Sequence, residues 1–494
     1  MDEDQQRAVD LAKSGKSFFL TGAGGTGKSY VIQNIVSALN KDGRDVALTA
    51  MTGCAALLLG KGAKTLHSWA GIGLGKESAD VILMKLRKAF KAKKNWLAAD
   101  ALIIDEVSMM MPELLDKLDI IGRGMRRSPL PFGGLQLILV GDMFQLPPVN
   151  KDSRDCFFVF ESKAWKAHIH DSVVLRTVHR QTDPVFLKIL DEARSGVLTK
   201  ESLEILDSRR TKEWKKLEIK PTLLFTKRAD VEQINLTQLN KCEGEDKMFV
   251  ARTIKTQTYL TSHTVQQVTD YAIEKMDKNG AYVPELALRK GAQVMLLTNK
   301  YMDFGLVNGS RGIVEKFCDG PSGYPMVKFR NGEVLIIEPH VWESEDVEGL
   351  QRQQIPLRLA YAITIHKAQG ATLDCALVDI GDNTFEYGQA YVALSRVRSL
   401  DCLYIWDLTA RAFMVHPKVK VFLEKVHAMD STVTTRDPAV TTRDPSVTTR
   451  DPAVTTRDPS VTNHTDLPLT TSAQSIPRSA PCTELNGPSS EDPS

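Results

Sequence analysis

The stretch Thr21-Gly22-Ala23-Gly24-Gly25-Thr26-Gly27-Lys28-Ser29 lies between an apolar segment, SFFLT, and an amphipathic one, YVIQNIVSALN. A strand that runs through so tight a loop into a helix is the first step of an alternation of strands and helices, which implies a parallel sheet with crossover helices. The order strand, Gly-x4-Gly-Lys-Ser, helix is the P-loop pattern. Its glycines let backbone N–H groups turn inward onto phosphate, and the helix N-terminus adds partial positive charge. Lys28 then reaches the terminal phosphates and Ser29 ligates Mg²⁺. Gly22, Ala23, Gly24, Gly25, Thr26, Gly27, Lys28 and Ser29 are thus the candidate nucleotide cradle.

The rest of the chain keeps the same rhythm. VALTA, ALIID and LQLILVG read as further buried strands, and a second alternation runs from TLLFT to CALVDI and CLYIWDL. Between them the pattern is Gly-rich and hairpin-like, as in NGSRGIVEKF and YPMVKFRNGEVLII. The expected class is α/β with parallel sheets: a first unit over 1–175, a second over 176–245 and 350–428, and a small β-barrel inserted at 246–349. Residues 429–494 form a tail in which the unit VTTRDPA or VTTRDPS first repeats every seven residues, with Val433, Val440, Val447, Val454 and Val461 in register, before Ser, Thr and Pro dominate to Ser494. A coiled coil is excluded by Pro438, Pro445, Pro452 and Pro459. A disordered tail is expected from that Ser, Thr and Pro composition.

Bulk properties exclude several classes. No apolar run approaches the roughly 18 residues of a membrane span, so no membrane partner is expected. The seven cysteines are scattered without a CxxC pair, which points to neither a zinc site nor a disulfide framework. A formal charge of +2 by itself predicts no nucleic-acid partner, so any DNA must be held by a local groove. The first ten residues are acidic and lack an apolar stretch, so no secretory leader is expected.

The strand ALII ends in Asp105-Glu106. A carboxylate at a strand's C-terminal end, expected beside the P-loop strand, can hold Mg²⁺, while its neighbour orients and deprotonates the attacking water. Residues 298–303, TNKYMD, mimic a guanine-reading motif, but Met302 stands where the carboxylate should be and Asp303 lies one place too far. ATP is therefore the expected nucleotide.

Seven segments in order carry a resemblance: TAMTGCAALLLGKGAKTLHSWAGIG (49–73), IIDEVSMM (103–110), PFGGLQLILVGDMFQLPPV (131–149), TVHRQ (177–181), LVNGSRGIVEKF (306–317), AYAITIHKAQGATLD (360–374) and EYGQAYVALSRVRS (386–399). From Asp2 to about Asp407 the chain resembles the PIF-type DNA helicases of superfamily 1B, relatives of the RecD enzymes. The resemblance implies two RecA-like P-loop domains, an SH3-like barrel and an ATP- and Mg²⁺-dependent 5′→3′ helicase. Such an enzyme walks on single-stranded DNA and unwinds duplexes in repair, recombination, replication or telomere maintenance. It further implies that Gln5 reads adenine, with Gln6 as a shifted alternative. Gln145 would couple γ-phosphate to DNA, and Arg180 and Arg396 would reach the γ-phosphate from the second unit. Gly370 would allow close packing near the nucleotide, and Thr65, His67, Phe144, His366 and Lys367 would face DNA.

Trp69 is expected to be core, and the basic run 85–95 to be a solvated helix face. His179 and Met143 stand where relatives carry Phe, and both are expected to be packing changes that touch the γ-phosphate and DNA surfaces. The implied partners are single-stranded and forked DNA, bound by a monomeric motor. Its compartment would be the nucleus or mitochondrion in a eukaryote and the cytoplasm otherwise. The alternative is a degenerate module of the same fold that binds single-stranded DNA without turnover.

Overall fold

The computed structural model describes residues 1–434 except 61, 74, 149–156, 257–262, 281, 320–322, 345, 346 and 348. The first lobe is a sheet of six strands: β1 Phe18–Gly22, β2 Val46–Ala50, β3 Lys64–Thr65, β4 Ala101–Asp105, β5 Gln136–Val140 and β6 Asp171–Leu175. Their spatial order is β3-β2-β4-β5-β1-β6, with every pairing parallel. Every residue of β1, β4 and β5 is buried, as expected where helices cover both faces of a parallel sheet. One expectation is corrected here. The strand ending in Asp105-Glu106 is not beside the P-loop strand, because β5 lies between them and hydrogen-bonds to both. The intervening strand delivers Asp142 and Gln145 to the same sheet edge.

The second lobe begins with β7 Thr222–Phe225 and is interrupted by strands β8 Lys247–Val250, β9 Arg252–Lys255, β10 Glu285–Leu288, β11 Gln293–Leu296, β12 Arg311–Phe317, β13 Pro325–Phe329, β14 Val334–Ile336, β15 His340–Glu343, β16 Leu350–Gln354 and β17 Leu357–Leu359. It resumes with β18 Ala362–Thr364, β19 Ala376–Ile380 and β20 Leu403–Leu408. These close a parallel sheet in the order β18-β7-β19-β20. Ala362 pairs with Leu223 across the whole interruption, the signature of an insertion.

The insertion's strands pair antiparallel. Among the described residues they form sheets ordered β14-β13-β12-β11-β17, β15-β16-β9 and β10-β8. β17 extends the first of these past residue 349. Gln293 fastens the insertion to the second lobe, donating to the carbonyls of Lys220 and Ala360 at 2.9 and 3.0 Å. The buried Arg311 adds an ion pair with Asp374. TNKYMD falls in this insertion, where Asn299 accepts from the Asn308 N–H and Lys300 pairs with Glu338.

The C-terminal helix, Pro417–Thr434, runs past residue 428, and the repeats beyond Thr434 lie outside the described residues. Expected in the second unit, it instead packs on the first lobe. Val419, Leu423 and Val426 join that lobe's core, and Phe422 stacks on Phe160 at 4.1 Å and meets the Trp165 edge at 5.8 Å. The fully buried Asp430 carboxylate pairs with Arg7 and Arg176. The chain thus crosses from the second lobe back to the first. Phe422→Ala is expected to destabilise the protein by about 3 kcal/mol, seen as a lowered Tm.

Trp69 is core as expected, 5% exposed and 4.9 Å from Trp96. The basic run lies on the helices Ala79–Lys88 and Phe90–Ala98, where Lys85 pairs with Glu77 at the surface. No helix among the described residues is long and apolar enough to cross a membrane.

Candidate active site

The helix Lys28–Lys41 starts from Gly27, whose φ of +83° is left-handed, and no side chain caps its first N–H groups. Gly25 has φ +92°, and a Cβ there would stand 2.7 Å from the Arg180 Cβ. Only glycine fits this approach, which places the second lobe's arginine directly over the loop. Lys28 Nζ donates to the Gly22 and Ala23 carbonyls at 2.9 and 3.0 Å. Burial lowers its pKa, against the pull of Asp142, Glu106 and Asp105.

A cavity of about 480 Å³ opens above the loop between the lobes. Gly24, Gly25, Gly27, Lys28, Ser29, Asp105, Glu106 and Gln145 line it from the first lobe, facing Arg180, Gly370 and Arg396. Gly22 and Ala23 are outside this lining, and Thr26 folds back, its hydroxyl donating to the Ala23 carbonyl at 2.9 Å. Gln5 also lies outside the lining. It completes a capping box with Asp2, and its Nε2 is 3.2 Å from His179 Nε2.

Burial, then the neighbouring Glu106, push Asp105 up to about 7. Glu106 holds a left-handed φ of +58°, with its N–H on Asp105 Oδ1 at 2.8 Å. Among the described residues no cluster of three His, Cys, Asp or Glu could hold a metal alone. That donor set fits Mg²⁺, which takes one or two protein ligands and completes its shell with substrate phosphates and water. Ser29 and Asp105 would hold it.

Arg396 is 2% exposed and is fixed by donating to the Val392 carbonyl at 2.7 Å and to Ser395 Oγ at 2.6 Å. Burial, then the Arg180 charge, push it down to about 9. Arg180 is lowered too, chiefly by burial, and it donates to the Ser395 carbonyl at 2.9 Å. Arg180 disfavours the charge on Arg396, and Arg398 that on Arg180, so this crowd of guanidiniums gains from an anion placed among them.

Several residues at the site escaped sequence reasoning. Gln369 reaches from the second lobe to donate to Glu106 Oε2 at 2.9 Å, tying the lobes together at the candidate base. Its one signal in the sequence was the amide beside Gly370 in IHKAQG. A Cβ on Gly370, at φ +76°, would lie 3.8 Å from Glu106 Oε1. Thr372 and Arg398 line the cavity too, as does His179, one of the two replacements expected to touch the γ-phosphate and DNA surfaces. Met143, 2% exposed in the first lobe's core, is packing as expected.

The five DNA-facing candidates lie outside this cavity. Thr65 caps the short helix Leu66–Ala70 that carries His67. His67 is lowered by burial and then by Lys275 of the insertion. His366 and Lys367 sit on the short helix Ile365–Ala368 of the second lobe, with Lys367 exposed. Phe144 packs against the cores of both lobes, and the Arg194 guanidinium lies 4.6 Å over its ring. One face of that ring is therefore taken by the protein.

Fold and site together define a two-lobed RecA-like P-loop protein with its nucleotide cradle in the cleft. Residues 1–196 match the family model of the PIF1-like helicases, and residues 273–317 match that of the Pif1 helicase 2B domain. The chain is 38% identical over 428 residues to the ATP-dependent DNA helicase PIF1 of Danio rerio, covering 86% of this chain and 64% of that protein. The crystal structure of the Candida albicans Pif1 helicase superposes with a TM-score of 0.71 at 34% identity, covering 86% of this chain and 99% of that one. For the Bacteroides Pif1 in complex with ADP-AlF4 the TM-score is 0.69 at 29% identity, with 86% and 97% covered. The chain belongs to the PIF1-like helicase family. It spans less than two thirds of the length of such curated PIF1 helicases, 64% of the Danio protein and 63% of the human one.

Proposed function

We propose that this chain is an ATP-dependent DNA helicase that translocates 5′→3′ on single-stranded DNA and unwinds duplexes. The observation that carries the reading is one cavity in which Lys28, Ser29, Asp105 and Glu106 of one lobe face Arg180 and Arg396 of the other. ATP fits as substrate, since the loop's N–H groups and Lys28 can hold its phosphates. Bound Mg²⁺ would neutralise phosphate charge. Glu106, steadied by Gln369, orients the attacking water and takes its proton. Arg180 and Arg396 stabilise charge on the transferring phosphoryl group.

Because these groups come from two lobes, turnover requires the cleft to close, and product release allows it to open. Thr65, His67, Phe144, His366 and Lys367 lie on the lobes that move. Polar and basic groups that hold phosphates from both lobes convert this cycle into stepping. A structure of the Bacteroides Pif1 bound to single-stranded DNA, and one of two coordinating Pif1 helicases at forked duplex DNA, support this choice of partner. Gln5 reads the adenine edge, and the motor acts as a monomer. Its setting is DNA repair, recombination, replication or telomere maintenance, in the nucleus or mitochondrion if the source is a eukaryote and in the cytoplasm otherwise.

The test is ATP turnover with and without a single-stranded oligonucleotide. Hydrolysis should rise on adding DNA and fall about 100-fold or more in Lys28→Ala. DNA binding without turnover in the unaltered protein would overturn the proposal and identify a binding module of the same fold.

A further inference from the structure

A buried chain of contacts runs from the nucleotide loop to Phe144 through residues that the proposed reading does not use. The Gly24 N–H donates to the Tyr391 hydroxyl at 2.7 Å, and that hydroxyl donates onward to Asp142 Oδ2 at 3.1 Å. Arg194 grips the same carboxylate, Nη2 to Oδ1 at 3.1 Å and Nε to Oδ2 at 3.3 Å, and its guanidinium covers the Phe144 ring. Tyr391 is 3% exposed and Asp142 fully buried. Burial pushes Asp142 up, but Arg194 and Lys28 outweigh it and hold the carboxylate ionised. Gly24 and Asp142 belong to the first lobe; Tyr391, on the helix Gln389–Leu394, and Arg194, on the helix Pro184–Ser195, follow β6 in the chain. A second contact runs alongside: a Cβ on Gly388, which starts the Tyr391 helix, would lie 2.3 Å from the Phe144 carbonyl.

The Gly24 N–H has one hydrogen to give. In the proposed reading, on which this inference rests, the loop's N–H groups serve phosphate, so a phosphate oxygen and the Tyr391 hydroxyl compete for that hydrogen. We propose that Tyr391 reads nucleotide occupancy through this competition and passes it by way of Asp142 and Arg194 to Phe144, on the DNA-facing side. Tyr391 and Arg194 are positioning residues that touch neither reacting phosphate nor water. A cavity of about 240 Å³ bordered by Gly24, Tyr391 and Arg194 gives the tyrosine room to shift when its donor is taken. Because coupling between two ligands is reciprocal, DNA at Phe144 must alter nucleotide affinity by the same factor.

The experiment measures the affinity of a fluorescent single-stranded oligonucleotide by anisotropy, with and without the Mg²⁺ complex of a non-hydrolysable ATP analogue. In the unaltered protein the analogue should change the DNA Kd by about 5-fold or more, the ordinary range of such coupling. In Tyr391→Phe, which keeps the ring, that factor should collapse to within about 2-fold of unity. Without DNA, the same variant should bind the analogue as tightly as the unaltered protein or more tightly, because a competitor for the Gly24 N–H has gone. A purely structural role would weaken both ligands together, and that outcome overturns the proposal. Arg194→Lys keeps a charge on Asp142 but loses the planar cover on Phe144, so it should lose coupling as well. Full coupling in Tyr391→Phe or in Arg194→Lys overturns the relay while leaving the helicase reading intact. No analogue effect on DNA affinity in the unaltered protein overturns both.

Discussion

Arg180→Ala should lower the DNA-stimulated turnover number for ATP by about 10³-fold or more, the magnitude associated with an arginine that meets transition-state charge. The side chain belongs to the loop after β6, close enough to the phosphate cradle that Gly25 can carry no Cβ. Its Nη1 is held by the Ser395 carbonyl, so its entropy loss is met before substrate arrives. Arg180→Lys should recover little, because an ammonium cannot both keep the Ser395 contact and present a second planar donor. Steady-state hydrolysis and equilibrium binding of an ATP analogue separate the cases. A loss confined to turnover supports transition-state contact, whereas equal losses in both would place Arg180 in ground-state binding.

Glu106→Gln has the next largest expected effect, a fall in turnover of about 10²- to 10⁴-fold. Analogue binding should be retained, since Lys28, Ser29 and Asp105 are untouched. The carboxamide is nearly isosteric, and its oxygen can still accept from Gln369 Nε2, so the contact between the lobes survives. Single-turnover hydrolysis measures the chemical step directly. A variant that turned over normally would show that Glu106 is not the base.

The local chemistry was legible in the sequence because each motif carries its own context. ALII announces a buried strand, so Asp105-Glu106 must emerge at its end, and the glycines around Lys28 announce the loop. Strand order was not legible. β5 lies between β1 and β4 because helices far apart in the chain must cover both faces, and no residue near Asp105 encodes that choice. The C-terminal helix misled for the same reason. Which lobe it covers depends on Phe422 finding Phe160 and on Asp430 finding Arg176, 254 residues away. Hairpins in the insertion were readable from their glycines, whereas their division into separate sheets depends on pairings such as β16 with β9. Arg194 and Tyr391 sit in ordinary helical sequence, and only the folded chain brings them to Asp142. The partner of His179 was not legible, because Gln5 lies 174 residues earlier.

Strand separation on forked duplexes that carry a single-stranded arm at only the 5′ or only the 3′ end tests the account most directly. It predicts unwinding from the 5′ arm that requires ATP and Mg²⁺ and is absent in Glu106→Gln. Hydrolysis stimulated by DNA with no separation from either arm would contradict it.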